Sequence, residues 1–265
     1  MGDAGAMAGN SARDGVSVTH KVLALLRAFD AHHRELTLTE LATRAQLPLA
    51  TTHRLAGELV KGQALARTPH ATYVVGPLTW DVGQYAPGPR NLTDVASPFL
   101  HDVYAATHAT VHLAVREGAT ALYLARLQGN TSVPVVSFVG ARLPLSTTGV
   151  GKALLAYAPD DVRREVMSDL QRPTAYSIVQ AGQLARQLAD VRRRGYAVTV
   201  QEMSLGTASV AVPVPDPHEQ VVAAVGVVVR SLRRDERRLA TALQVAARGI
   251  QRQLALGLPL DGMTS

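Results

Sequence analysis

Apolar side chains recur at helical spacing in one stretch near the N-terminus, residues 36–61. The first half predicts a short helix that begins after Thr37, because Glu40 three residues later completes a capping box. Pro48 suits the first turn of a second helix, where its missing N–H removes no hydrogen bond. The second helix repeats apolar positions with one buried face, formed by Thr52, Leu55, Ala56 and Leu59. The pattern therefore predicts two short helices joined by a tight turn.

The opposite face of the second helix has small, hydroxyl and basic side chains and no acid. It comprises Ala50, Thr51, His53, Arg54 and Gly57. Such a face suits the phosphates and base edges of DNA, so the stretch is typical of a helix-turn-helix. The alternative is an ordinary helical hairpin whose outer face is only solvated. On the first interpretation the residues that contact DNA are Thr51, Thr52, His53 and Arg54.

Flanking elements complete a winged helix over residues 17–77. Residues 17–29 predict a helix, with apolar positions at Val18, Val22, Leu25, Leu26 and Phe29. Residues 63–67 and 72–75 have strand patterns, and residues 68–71 form the turn between them. His70 at the tip of this wing can reach a phosphate or the minor groove, although an exposed turn residue is the commoner explanation. We include His70 among the expected DNA contacts.

Strand and helix patterns alternate in residues 93–257 and predict a second, α+β domain. The predicted strands are residues 111–116, 121–128, 133–139, 196–202, 209–214 and 221–229. The predicted helices are residues 93–106, 148–157, 160–170, 183–194 and 235–256. Residues 78–92 form the expected linker, which Pro87, Gly88 and Pro89 break after one short helix around Trp80. Trp80 is expected to pack between domains or across a dimer, and residues 1–16 and 258–265 are expected to be disordered tails.

Composition narrows the class of protein. The 265 residues are enough for two domains, and a net charge of +6 fits a polyanionic partner. The absence of cysteine excludes disulfides, thiol catalysis and cysteine-ligated zinc. No apolar run approaches the length of a membrane span, and the N-terminus lacks the apolar core of a signal peptide. We therefore expect a cytoplasmic protein with no membrane partner.

Catalytic motifs fail at the place where they are most expected, residues 146–153. A phosphate-binding P-loop requires glycine at Ser146 and serine or threonine at Ala153, and both requirements fail. The glycine pair that includes Gly149 also lacks the third glycine of a dinucleotide fingerprint. His108 and His112 lie in a strand-like setting, where packing is the commoner role, and no partner ligands for a metal are evident. We expect no catalytic residues, no metal and no cofactor, although a spatial triad has no sequence signature.

The same stretch fits a small-molecule site better. Thr147 or Thr148 can cap a helix whose first turn Gly149 and Gly151 leave without side chains. Bare N–H groups at a helix start form a small anion site. The alternative is that the glycines only allow close packing of helix on sheet. Both interpretations stay open.

The order of motifs resembles the IclR family of bacterial transcription regulators. In sequence order the matching segments are LTLTELA, LP, THRL and YVVG in residues 36–76, residues 107–115, 143–156 and 191–197, Glu202, Gly206, and residues 210–214 and 221–225. The resemblance covers residues 18–256 and implies a winged helix followed by an effector domain with a GAF-like sheet. The chain departs from the family pattern at Gln46, where glycine is usual, and at Leu49 and Ala50, where a basic residue and serine are usual.

The resemblance implies a DNA-binding transcription regulator whose operator affinity a small-molecule effector modulates. It implies a homodimer or homotetramer on palindromic double-stranded DNA. By alignment the expected effector-binding residues are Thr148, Gly149, Val150, Thr199, Thr207, Ser209, Gly226 and Val228. Glycine and valine on one wall favour an aromatic or medium-length organic acid, with its carboxylate on the N–H groups near Gly149 and Val150. The alternative is a small-molecule-binding protein or enzyme whose helix-turn-helix serves protein contacts.

Overall fold

The computed structural model describes residues 17–30, 33–84, 89–129, 133, 135–232 and 235–257. The chain divides into two compact units, residues 1–86 and 87–265. The tails expected at residues 1–16 and 258–265 lie outside the described residues. Within the described part of the chain, no helix is long and apolar enough to cross a membrane.

The described residues of the first unit form four helices and a small antiparallel sheet. Its elements are α1 (Val18–Arg27), β1 (Glu35–Leu36), α2 (Leu38–Ala45), α3 (Leu49–Lys61), β2 (Leu65–Arg67), β3 (Tyr73–Val75) and α4 (Pro77–Gln84). Helices α1 to α3 and the sheet pack around buried Leu25, Leu41 and Leu55. The expected capping box is confirmed, since the Thr37 N–H donates to Glu40 Oε2 at 2.8 Å and the Glu40 N–H donates to Thr37 Oγ1 at 3.3 Å.

Three details of the first unit differ from expectation. The wing strands are shorter than predicted, and β1 adds a third strand to give the order β1-β3-β2. Two residues are too few to show the alternation of apolar and polar side chains, so β1 cannot be predicted from this pattern. Val18, which the pattern places on the same face of α1 as Leu25, is 58% exposed, since it occupies the first position of the helix.

The turn between α2 and α3 explains why the family pattern has glycine there. Gln46 adopts the left-handed conformation, with φ 54°, and its N–H caps α2 by donating to carbonyls of its last turn. Glycine adopts this conformation without steric cost, whereas other L-residues do so at a cost. The turn therefore forms although glutamine replaces the usual glycine at position 46, and α3 begins at Leu49 immediately after Pro48.

The second unit is a six-stranded antiparallel sheet with helices on both faces. Its strands are β4 (Thr110–Glu117), β5 (Thr120–Leu127), β6 (Arg142–Pro144), β7 (Ala197–Val200), β8 (Ala208–Pro215) and β9 (Val221–Val229). Its helices are α5 (Pro89–Thr107), α6 (Gly149–Leu155), α7 (Asp160–Ser168), α8 (Ala181–Arg194) and α9 (Glu236–Gly257). The strand order is β6-β5-β4-β9-β8-β7.

Each central strand is buried on both faces, and this gives the unit two cores. Alternate residues point to opposite sides of a strand. One side of β4, including Val111 and Leu113, packs with α5 and α9. The other side, which includes Ala114, packs in a second core with α6 and α8. Polar residues also lie on that second side, where α6 covers the sheet.

The strand expected at residues 133–139 is wrong. Its described residues form no ladder, and the third strand in sequence is β6 instead. An apolar run alone is not sufficient for a strand. A strand also needs a neighbouring strand whose backbone N–H and C=O groups are free to pair with it. Here the Tyr123 N–H donates to the carbonyl of Ala141, after a turn at Gly140 with φ 88°.

The segment expected as a linker is largely helical. Its first part forms α4, as the short helix around Trp80 predicted. The helix expected at residues 93–106 is longer and begins at Pro89, a residue that can occupy the first turn of a helix. The break expected at Pro87 and Gly88 lies outside the described residues, and the packing role expected for Trp80 stays a prediction.

Candidate DNA-binding surface and effector pocket

The outer face of α3 presents three of the four α3 side chains expected to contact DNA. His53 and Arg54 are exposed and Thr51 is half-buried. Among the described residues Arg54 has no ion-pair partner, so its charge is available to a phosphate or a base edge. His70 is exposed at the tip of the wing. These four side chains are accessible, and their contacts with DNA remain a prediction.

Thr52 is the exception and corrects the expected set. It is fully buried, and its Oγ1 has no hydrogen-bond partner among the described residues. The helical period that places Leu55 and Ala56 in the core also turns Thr52 inward. The expectation that its side chain contacts DNA is therefore wrong, and its role is to pack.

The second unit contains a concave pocket between α6, the sheet and the loop that follows β7. Its cavity volume, without the open solvent at its mouth, is about 50 Å³. All eight residues expected to bind the effector line it. Sequence reasoning missed the other lining residues, which are His112, Tyr123, Val135, Val136, Ser137, Leu143, Thr147, Met203, Ser204, Val210, Ala211 and Val227.

Glycines bring the walls of this pocket together. A Cβ added to Gly149 would lie 2.5 Å from Ser209 Oγ, and one added to Gly226 would lie 2.9 Å from Val150 Cγ1. The close-packing interpretation of Gly149 therefore holds. The expected cap is also present, since Thr148 Oγ1 accepts the N–H of Gly151 at 3.1 Å. An anion on the neighbouring N–H groups stays a prediction.

His112 is a pocket residue, not only a packing residue as its pattern suggested. Its Nε2 lies 2.7 Å from Ser137 Oγ, and its ring meets the Tyr123 ring edge-on with centroids 5.0 Å apart. Burial, with a smaller contribution from the charge of Arg126, lowers the His112 pKa to about 3. The ring is therefore neutral at physiological pH. The signal that sequence analysis passed over is a polar residue on the buried side of an otherwise apolar strand.

Tyr123 supplies a second neutral polar group to the pocket. Burial raises the pKa of its phenol to about 12, and a hydrogen bond with Thr148 opposes that shift. The hydroxyl therefore stays protonated, and it connects the β5 wall to the cap of α6. Farther along the pocket, Thr199 Oγ1 and Ser209 Oγ lie 2.6 Å apart. Polar groups at several points, with apolar walls between them, match a small ligand with an apolar body.

A buried ion pair holds the loop that forms one wall. The Lys152 Nζ donates to both carboxylate oxygens of Glu202 at 2.7 Å and to Gln187 Oε1 at 2.5 Å. Burial lowers the Lys152 pKa and raises the Glu202 pKa, while their mutual attraction opposes both shifts. The pair joins α6 to the loop that carries Met203 and Ser204 into the pocket. Among the described residues, no group of three or more histidine or acidic side chains is arranged to hold a metal.

Acid should destabilise the second unit through His112. The folded pKa lies near 3 and the ordinary value is 6.5, so the unfolded chain takes up a proton first as the pH falls. The contribution of neutral His112 to the free energy of unfolding is complete above about pH 6.5. It is lost progressively as the pH falls from about 6.5 to about 3. Lowering the pH from about 7.5 to about 5.5 should cost about 1 kcal/mol more in the unaltered protein than in His112→Gln. Urea unfolding at the two pH values measures this, and equal losses would contradict it.

Two family models and several known proteins match the chain. The model for the C-terminal domain of the bacterial transcriptional regulator IclR matches residues 87–252, and the IclR helix-turn-helix model matches residues 18–69. The Pca regulon regulatory protein of Pseudomonas putida is 31% identical over 239 residues, which cover 88% of this chain and 82% of that protein. The HTH-type transcriptional regulator BhcR of Paracoccus denitrificans is 30% identical, with 84% and 81% covered. A solved IclR homolog from Microbacterium hydrocarbonoxydans, complexed with 4-hydroxybenzoate, has a TM-score of 0.87 at 28% identity and covers 91% of this chain and 100% of that one.

Proposed function

The chain belongs to the IclR family of bacterial transcriptional regulators, and from that premise we propose a function for each of its two units. It is a DNA-binding regulator whose operator affinity a small-molecule effector modulates. We propose that α3 and the wing contact the operator and that the α6 pocket takes an organic acid with an apolar body. The regulator acts by binding and has no catalytic role in this proposal.

The observation that carries the proposal is the lining of the pocket. Valine, leucine and methionine side chains form its walls, while neutral hydroxyl groups and the neutral His112 ring supply hydrogen bonds between them. A small, wholly polar acid would leave those apolar walls unmatched, whereas an aromatic ring would cover them. The related protein complexed with 4-hydroxybenzoate supports this class of ligand and provides the first probe.

Two measurements test the proposed function. Thermal-shift and calorimetric titration with benzoate, 4-hydroxybenzoate and adipate should show that at least one acid binds, because the walls are apolar and the ends polar. A gel shift against the DNA that flanks the chain's own gene should then show a changed affinity in the presence of that acid. Binding of none of the acids would contradict the ligand class, and an affinity for DNA that no acid alters would contradict the regulation.

Arg54 should be needed for operator binding. It is exposed on α3 and has no ion-pair partner among the described residues, so its loss removes a contact without disturbing the fold. A bidentate base contact contributes about 1–3 kcal/mol, so Arg54→Ala should weaken operator binding by several-fold or more. Thr52→Val is the matched control. Thr52 is buried, so this variant should bind DNA as tightly as the unaltered protein and be at least as stable. Unchanged affinity in Arg54→Ala would show that α3 is not the recognition helix.

We also propose that the chain binds its operator as a homodimer or homotetramer. One winged helix covers only a half-site, so a palindromic operator requires two copies. An apolar surface for this contact consists of Leu78, Trp80 and Val82 on α4, which are 44%, 66% and 62% exposed, with Val18 and Leu23 on α1 as a further candidate surface. Trp80→Glu should shift the sedimentation of the protein towards monomer and weaken operator binding. A monomeric unaltered protein at micromolar concentration, with and without DNA, would contradict the proposal.

A further inference from the structure

One ring nitrogen in the effector pocket has no partner. His112 is 3% exposed and lines the pocket, and its Nε2 lies 2.7 Å from Ser137 Oγ. Its Nδ1 has no hydrogen-bond partner among the residues that the structure describes. The unpaired side-chain atoms of those residues that lack accessible surface are Thr52 Oγ1, Thr110 Oγ1 and Arg126 Nε, and Nδ1 is not among them. The nitrogen is therefore both unpaired and accessible, and a ligand in the pocket can reach it.

The chemistry of this nitrogen suits a neutral hydroxyl group. A neutral imidazole has one N–H and one acceptor nitrogen, and the Ser137 hydroxyl can donate to Nε2 or accept from it. Nδ1 can therefore either donate or accept, and a ligand hydroxyl can match both states. A carboxylate only accepts, and its charge would lack a contact, because Arg126, opposite His112 on β5, is not part of the pocket lining. An unpaired buried charge is costly, so a second carboxylate fits poorly here.

His112 lies across the sheet from the start of α6. Ala211 on β8 pairs with Gly226 on β9, and Gly226 pairs with His112 on β4. Neighbouring strands are about 4.8 Å apart, so Ala211 and His112 are about 10 Å apart. The start of α6 lies over the β8 end of this row, since a Cβ added to Gly149 would lie 3.5 Å from Ala211 Cβ. One aromatic ring, with a hydrogen bond of about 3 Å at each end, spans a distance of this order.

We propose that His112, held by Ser137, forms a subsite that takes a ring hydroxyl of an aromatic acid effector, at the end away from its carboxylate. This inference rests on the proposed function, because it names the second polar group of the same acid. The carboxylate then lies at the N–H groups of Gly149 and Val150, which have no partner within α6 because they belong to its first turn. The protein should therefore prefer an aromatic hydroxy acid to the matching acid without the hydroxyl and to the matching diacid.

The first test compares 4-hydroxybenzoate, 4-methylbenzoate and terephthalate in calorimetric titrations of the full chain. The three compounds share one ring and one carboxylate and differ in the opposite group, which is a hydroxyl, a methyl or a second carboxylate. The unaltered protein should bind 4-hydroxybenzoate about threefold to tenfold more tightly than 4-methylbenzoate, the range for one neutral hydrogen bond. It should bind terephthalate more weakly than either, because the second carboxylate would be buried without a counter-charge.

Two variants show whether His112 causes the preference. His112→Phe keeps a ring and removes both nitrogens, so 4-hydroxybenzoate and 4-methylbenzoate should bind this variant about equally. Ser209→Ala is the matched control, because it removes a hydroxyl that lines the pocket on β8, beside Thr199. This control should change the affinities for the two acids by the same factor and so leave the preference intact.

A measurement on the unaltered protein does not depend on the folding of His112→Phe. Nitrogen NMR of protein labelled with ¹⁵N-histidine reports a hydrogen bond at each ring nitrogen, and His112→Gln identifies the His112 signals by their loss. Addition of 4-hydroxybenzoate should shift the Nδ1 signal of His112 more than addition of 4-methylbenzoate does.

The outcomes separate the inference from the proposed function. If no acid binds the unaltered protein, both fail. If adipate binds but none of the aromatic acids does, the inference is overturned and the proposed ligand class stands. The inference alone is also overturned by equal affinities or equal Nδ1 shifts in the unaltered protein, by a preference that survives in His112→Phe, or by one that falls equally in Ser209→Ala. Loss of the preference in His112→Phe alone supports the inference.

Discussion

Replacing Glu202 with alanine should destabilise the second unit by about 3–5 kcal/mol, the range for removing one partner of a buried ion pair. The side chains of Lys152 and Glu202 are 1% and 6% exposed, so the remaining ammonium could not be hydrated without opening the fold. Such a loss is a large share of the stability of a typical domain. Urea unfolding followed by circular dichroism measures it.

Two controls identify the cause of that loss. The double variant Lys152→Met/Glu202→Leu should recover most of the stability, because apolar side chains of similar volume need no hydration. Asp190→Ala removes one partner of the Arg193–Asp190 pair, whose side chains are 80% and 51% exposed, and should cost less than about 1 kcal/mol. A Glu202→Ala loss as small as that of Asp190→Ala would show that the pair does not hold the loop.

Adding a single methyl group at Gly151 should destabilise the second unit by about 2–3 kcal/mol, towards the upper end for an overpacked core. A Cβ there would lie 2.6 Å from the carbonyl oxygen of Leu145 and 2.7 Å from its Cα. Backbone atoms cannot rotate away, so the start of α6 would have to shift. Because that start lines the pocket, Gly151→Ala should also weaken any acid that binds the unaltered protein.

Gly182 provides the matched control for this substitution. It lies in the first turn of α8, and a Cβ added there would meet nothing within 4 Å. Gly182→Ala should therefore be neutral or slightly stabilising, because alanine is the better helix former. Similar unfolding free energies for the two variants would contradict the assigned close packing of α6.

Some of the site was accessible from sequence because local patterns carry it. The helix-turn-helix followed from the capping box and the apolar period, both of which depend on residues a few positions apart. The family resemblance identified eight residues in or directly before four separate elements, and the structure brings all eight to one pocket. That they bind an effector stays a prediction.

Other features depended on contacts between distant residues. The resemblance contained Lys152 and Glu202 as separate motif positions, and only the fold shows them as a pair 2.7 Å apart. In the same way, the isolated pattern of residues 133–139 predicted a strand, while the free backbone groups of β5 pair instead with β6. Apolar runs indicate burial, but the choice of strand partner belongs to the assembled sheet.

Periodicity and motif order by themselves determined the two-domain α+β organisation and the helix-turn-helix, and the family resemblance identified eight residues that line the pocket. Only the tertiary structure decided that His112 lies in the pocket as a neutral ring and that Lys152 and Glu202 form a buried ion pair. The physical reason is that burial and pairing are properties of three-dimensional neighbours. The charge state of a residue and its pairing therefore depend on side chains that are distant in sequence but close in space.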